Sequence, residues 1–142
     1  MKIYLSGSIR GGRQFQPIYR IIHDTLIDNG HIVLAHHVAN ENVVESEESV
    51  TDQEIYIQDI AWLEECDGLI AEVSLPSLGV GYEIAYALNL KKPVYAIYDV
   101  DRDPISAMIL GNTSHYLTVR SYKDTKDIIK YINEFLLSLK TK

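Results

Sequence analysis

The stretch that decides the fold is Leu69-Ile70-Ala71-Glu72-Val73, followed by Ser74-Leu75-Pro76-Ser77-Leu78-Gly79, a helix-period segment to about Leu90, and then Val94-Tyr95-Ala96-Ile97-Tyr98. Two short apolar runs bracket a turn-rich loop and a segment whose Val80, Ile84, Ala87 and Leu88 fall on one helical face. The order is strand, loop, helix, strand. Upstream the alternation continues. Ile3-Tyr4-Leu5 reads as a first strand, and Phe15, Ile18, Tyr19, Ile22 and Leu26 form a helix stripe closed by Asn29-Gly30. Ile32-Val33-Leu34-Ala35 is a second strand, and Thr51-Asp52-Gln53-Glu54 is a capping-box pattern opening a helix to about Cys66. Downstream come a short helix near Ile105–Leu110, a fifth strand near Tyr116–Val119 and a last helix from Asp124 to Leu139.

Strands alternating with helices predict an α/β fold, a parallel sheet covered on both faces. With five strands, the expected topology is a flavodoxin-like, Rossmann-like doubly wound sheet. No repeat, linker or low-complexity segment interrupts the chain, so residues 1–142 read as a single domain, long enough to bury its own core.

Composition narrows the function. Apolar residues make up 46% and charged residues 23%, an ordinary globular balance. Thirteen basic against 20 acidic residues give a net charge of −7, which argues against binding a nucleic-acid polymer. A small anion in a locally positive pocket stays open. The single cysteine, Cys66, has no internal disulfide partner and reads as a core thiol in a reducing compartment. The opening Met1–Leu5 is too short for a signal-peptide apolar region, and no apolar run reaches the ~20 residues of a membrane span. The expectation is a cytoplasmic protein that needs no membrane.

In such sheets ligands bind beyond the carboxyl ends of the strands, so the loops after the first, third and fourth strands are expected to meet at the site. The first loop, Ser6 to Gly12, offers three glycines, two serine hydroxyls and Arg10 before a helix. It is either an anion cradle or a glycine-rich turn with a solvated arginine. The third loop leads into Gly79-Val80-Gly81-Tyr82-Glu83-Ile84, where Glu83 lies three after Val80 and four before Ala87, on the apolar face. Asp59 repeats the anomaly, four after Ile55 and three before Trp62. Buried carboxylates are costly unless paired. Two of them directed inward from different helices suit glycosidic chemistry, one attacking the anomeric carbon and the other assisting the leaving group. A helix-start glutamate satisfied by free N–H groups and a structural aspartate are the competing readings.

Other features carry less. His36-His37 has no acidic or cysteine partner at metal spacing, so no metal site is expected. Asp99, Asp101 and Asp103 lack the glycine and distal glutamate of a calcium loop and read as a solvated turn. The acidic run Glu41–Glu48 reads as a mobile solvated face or a lid. Tyr56, Tyr86, Tyr95 and Tyr98 read as core or half-buried packing.

Several segments taken in order resemble one family. They are Tyr4–Gly12, Gln58–Leu63, Ala71–Glu83 and Ser106–Ile109. Together they resemble the 2′-deoxynucleoside 5′-phosphate N-hydrolases, Rcl-type members of the nucleoside 2-deoxyribosyltransferase superfamily, over nearly the whole chain. The resemblance implies hydrolysis of the N-glycosidic bond of 2′-deoxynucleoside 5′-monophosphates through a deoxyribosyl-enzyme ester, with no cofactor. By the same resemblance Glu83 is the nucleophile, Asp59 serves the leaving base, and Tyr4 stands near sugar and nucleophile. Ser8, Arg10 and Ser77 match phosphate-side residues, and Gly7, Ile9, Gly79 and Met108 shape the pocket. His37 has a counterpart near the site. Ser106 matches a serine reaching the neighbouring subunit's phosphate, which implies a homodimer. A nucleoside 2-deoxyribosyltransferase that exchanges bases is the alternative enzyme, and a non-catalytic nucleotide sensor the alternative outside enzymes.

Overall fold

A computed structural model describes residues 1–102 and 104–141. Five parallel strands form one sheet: β1 (Lys2–Ser6), β2 (Ile32–Leu34), β3 (Gly68–Glu72), β4 (Val94–Asp99) and β5 (Leu117–Tyr122), in the order β2-β1-β3-β4-β5. This is the flavodoxin-like order. Strand alternation sends successive side chains to opposite faces. Ile3, Leu5, Ile70 and Ile97 pack under α1 (Gln16–Asp28) and α6 (Thr125–Lys140), while Tyr4, Leu69, Ala71 and Ala96 pack under α3 (Asp52–Glu65) and α4 (Leu78–Asn89). Two short helices complete the fold, α2 (Val43–Glu47) and α5 (Ala107–Leu110).

The local signals operate as chemistry demands. Tyr19, Ile22 and Leu26 are the buried stripe of α1, and Gly30 beyond its end takes φ +77, a left-handed conformation that glycine adopts without steric penalty. Thr51 and Glu54 form both halves of the capping box of α3. Cys66 is a buried thiol whose Sγ–H donates to the Leu63 carbonyl at 3.3 Å. Among the described residues, no helix is long and apolar enough to cross a membrane.

Four expectations are corrected. The fifth strand reaches Tyr122 because it pairs with β4 from Val94↔Leu117 to Asp99↔Tyr122. Ala35 does not continue β2. It turns left-handed (φ 56) and starts a 3₁₀ turn, His36–Ala39. The acidic run is neither featureless nor wholly solvated, because Val43 is fully buried and anchors α2. Tyr56 is 52% exposed rather than packed. In the Asp99–Asp101 turn the Asp101 N–H donates to Asp99 Oδ1 at 2.9 Å, and Asp103 lies outside the described residues.

Candidate active site

Beyond the carboxyl ends of β1 and β3, on the α3/α4 face, lies a cleft of about 750 Å³. Its walls are the loop after β1, the loop after β3 with the first turns of α4, one face of α3, and the end of α2. The loop after β4 lines a neighbouring groove of about 720 Å³ instead, together with Ser77 and the far side of α4. That corrects the expectation that three strand loops share one site.

The two cleft loops are held close by small residues. A Cβ on Gly7 would lie 2.9 Å from the Tyr19 ring, and one on Gly11 would lie 2.9 Å from both the Pro76 carbonyl and Ser8 Oγ. Any larger residue would push the first loop off its neighbours. Arg13 fastens the same loop, donating to the carbonyls of Ser8 (2.9 Å), Val38 (2.7 Å) and Asn40 (2.8 Å).

Glu83, on α4, is half-buried in the cleft wall. The Ser6 hydroxyl donates to its Oε2, and the Tyr4 hydroxyl also bonds its carboxylate. Both come from β1, two residues apart and therefore on one face. Burial pushes the Glu83 carboxyl up to about 8. The Ser6 hydroxyl opposes that rise, the negative charge of Asp59 adds to it, and Tyr4 opposes it. The Tyr4 phenol is held far above its ordinary value by burial and then by Glu83 and Asp59, so it stays a donor. Asp59, half-buried on α3 and lining the same cleft, is pushed up to about 6 by burial and then by the charge of Glu47.

The other expected site residues divide into groups. Gly7, Ile9, Arg10, Ser77 and Gly79 line the cleft with Glu83 and Asp59. Arg10 Nη2 donates to Asp52 Oδ1 at 2.9 Å on the exposed rim. Ser77 caps α4, its hydroxyl accepting from the Val80 N–H at 3.3 Å. Ser8 lies behind the cleft wall: its N–H donates to the Tyr19 hydroxyl at 3.0 Å, while its buried Oγ has no partner among the described residues. His37 is also set back. Its ring centroid lies 5.8 Å from that of Trp62, and burial, then His36 and Arg13, push it down to about 4. Ser106 and Met108 line the neighbouring groove. Among the described residues no group of three or more His, Cys, Asp or Glu is arranged to hold a metal ion.

Two residues in contact with this machinery escaped sequence reasoning. Ser6 carried a signal, since strand alternation puts it on the face of Tyr4. Glu47 carried only a coarse one, the lid reading of Glu41–Glu48, since nothing local says which side chain of that run reaches the cleft.

The sequence pattern of the family described as nucleoside 2-deoxyribosyltransferase matches residues 3–125. A Methanosarcina barkeri protein named "Putative 2'-deoxynucleoside 5'-phosphate N-hydrolase 1" is 49% identical over 138 residues, 97% of this chain and 86% of that one. The 5-hydroxymethyl-dUMP N-hydrolase of Esox lucius is 41% identical over 129 residues, 87% of this chain and 88% of its own. In architecture, the chain resembles a CMP N-glycosidase of Clostridium botulinum with a TM-score of 0.71 at 18% identity, covering 95% of this chain and 99% of that structure. Pattern, relatives and sheet order agree, and the chain belongs to the nucleoside 2-deoxyribosyltransferase family.

Proposed function

We propose that this protein hydrolyses the N-glycosidic bond of 2′-deoxynucleoside 5′-monophosphates, releasing free base and 2-deoxyribose 5-phosphate. The observation that carries the reading is Glu83, a cleft carboxylate gripped by the Ser6 and Tyr4 hydroxyls and sharing its cavity with Asp59. The names of the relatives supply the substrate class.

With carboxyls at about 6 and about 8, the two groups together hold one proton near neutral pH. A double displacement needs that complement, one carboxylate and one carboxylic acid. The Ser6 and Tyr4 hydroxyls favour the charged form of Glu83, but burial outweighs them, so the shared proton rests mainly on Glu83 and the reacting form, Glu83 ionised and Asp59 protonated, is the minor partition of that proton. Glu83 attacks C1′, the C1′–N bond breaks, and the departing base takes the proton from Asp59. Water then attacks C1′, giving its proton to Asp59, and the ester bond to Glu83 breaks. Glu83 is regenerated and the sugar leaves as 2-deoxyribose 5-phosphate.

The phosphate end is assigned to Arg10, Ser8, Ser77 and the first turn of α4, whose N–H groups favour an anion. The exposed Arg10–Asp52 pair contributes little and is readily exchanged for a phosphate. The buried Ser8 hydroxyl has no partner among the described residues and is available to a phosphate oxygen. Gly7, Ile9 and Gly79 shape the sugar pocket, and His37 supports the base end behind Trp62. A second copy of the chain completes the site. Leu78, at the cleft, is 97% exposed and Met108, in the apolar neighbouring groove, 80% exposed, and a homodimer burying them brings Ser106 to the partner's phosphate. The single buried thiol suits a cytoplasmic setting.

The family pattern is described by a transferase, so base exchange is the second reading. The test is release of free base from deoxynucleoside monophosphates, each beside its nucleoside and ribonucleotide, with and without an acceptor base. Cleavage confined to the deoxy monophosphates is expected. Base exchange outrunning hydrolysis would move the activity to the transferase, and ligand binding without cleavage would leave a sensor.

A further inference from the structure

Glu47 sits at the end of α2, in the acidic run that carries no recognisable motif, yet its side chain is only 14% exposed and lines the same cleft as Asp59. The buried Val43 anchors α2 at its other end, and Arg13 holds the preceding segment through the Val38 and Asn40 carbonyls. The placement is therefore built rather than incidental. The nearest basic side chain is His37, whose Nε2 lies 3.6 Å from Glu47 Oε1. His37 is neutral near pH 7, because burial against Trp62 and the charges of His36 and Arg13 disfavour its cation. The contact therefore does not cancel the charge of Glu47. Burial pushes the Glu47 carboxyl above its ordinary value, and the charges of Arg10 and Arg13, from the first loop, partly offset that rise. From α3, Asp52 is occupied by Arg10, and Asp59 is the acidic group that feels the charge of Glu47. Glu83 lines the same cleft, and the charge of Asp59 reaches both Glu83 and the buried Tyr4 that bonds it.

We propose that Glu47 is a positioning residue for the reaction: brought to the cleft wall at the end of α2, its carboxylate acts on Asp59 and raises the share of the transferable proton that this carboxyl carries. The inference rests on the glycosidase reading for its purpose, but not for its test. α2 is thus part of the machinery and not a passive cover. A like charge beside an acid raises the cost of ionising it, which is how a carboxyl is kept protonated near neutral pH.

The experiment is a titration of the Asp59 side-chain carboxyl by carbon-13 NMR, assigned with Asp59→Asn, in the parent protein, Glu47→Gln and Glu47→Asp. In Glu47→Gln the midpoint falls by at least about half a pH unit, roughly threefold in proton affinity. In Glu47→Asp, which keeps the charge, it falls by less. The low-pH limb of kcat/KM, the one near 6, moves the same way in Glu47→Gln. A midpoint unchanged or raised in Glu47→Gln overturns the proposal. So does a uniform loss of activity at all pH values with the titration unmoved. If the parent protein cleaves nothing, the function proposed above fails while the titration still decides the role of Glu47.

Discussion

Replacing Glu83 by glutamine should stabilise the protein at alkaline pH while abolishing its chemistry. The Glu83 carboxyl, ordinarily near 4.5, is pushed up to about 8, chiefly by burial. The folded state therefore binds this proton more tightly than the unfolded chain does. Its contribution to stability is fully present below pH 4.5 and is lost as the pH rises through 8. Each pH unit between those values is worth up to about 1.4 kcal/mol, so the ionised carboxylate opposes folding by at most about 5 kcal/mol. Glu83 keeps partial access to the cleft, and screening there reduces the expected effect to about 2–3 kcal/mol. Glutamine keeps the shape and an oxygen that accepts from Ser6 and Tyr4, but it never ionises. Urea denaturation of parent and Glu83→Gln at about pH 4 and pH 9 measures the difference. The two should match within about 0.5 kcal/mol in acid, with Glu83→Gln more stable by about 2–3 kcal/mol in alkali. Base release should fall by at least about three orders of magnitude, since the nucleophile is gone. Equal or lower stability of Glu83→Gln at pH 9 would refute the reasoning, because it would mean that the cleft does not burden this carboxylate.

Four further outcomes are expected. The pH dependence of kcat/KM should be a bell with limbs near 6 and 8, belonging to the Glu83–Asp59 pair jointly, and Asp59→Asn should remove one limb and slow poor leaving bases most. Arg10→Ala should raise KM for monophosphates by about tenfold and leave nucleoside cleavage unchanged, as one charge-assisted bond to phosphate is lost. Asp52→Asn, which frees Arg10, should leave the denaturation midpoint within about 0.5 kcal/mol of the parent. Met108→Glu should shift sedimentation from dimer toward monomer, and mixing Ser106→Ala with Glu83→Gln should give heterodimers with one cleft lacking both groups and one retaining both.

Much of this was open to reading along the chain because its cause is local. Helical spacing set the buried stripe of α1, hydroxyl and carboxylate at a three-residue interval set the cap of α3, and glycine after asparagine ended α1. Strand and helix alternation then left few sheet orders to choose among, and the one observed puts β1 beside β3. Glu83 and Asp59 stood out for the same local reason, as carboxylates on apolar faces. What the chain alone could not show were relations between segments far apart. Ser6 bonds a residue 77 positions on, and nothing near Ser6 specifies that partner. The loop after β4 faces a different groove from the one beside β1, a matter of how α4 and α5 pack. Glu47 and Asp59 influence each other only because α2 and α3 bring them to the wall of one cleft. Local propensity and periodicity act over a few residues, so they determine the elements and the faces they bury. Burial, charge coupling and the ionisation of a carboxyl depend on everything within several ångströms, and only the tertiary structure decides what that is.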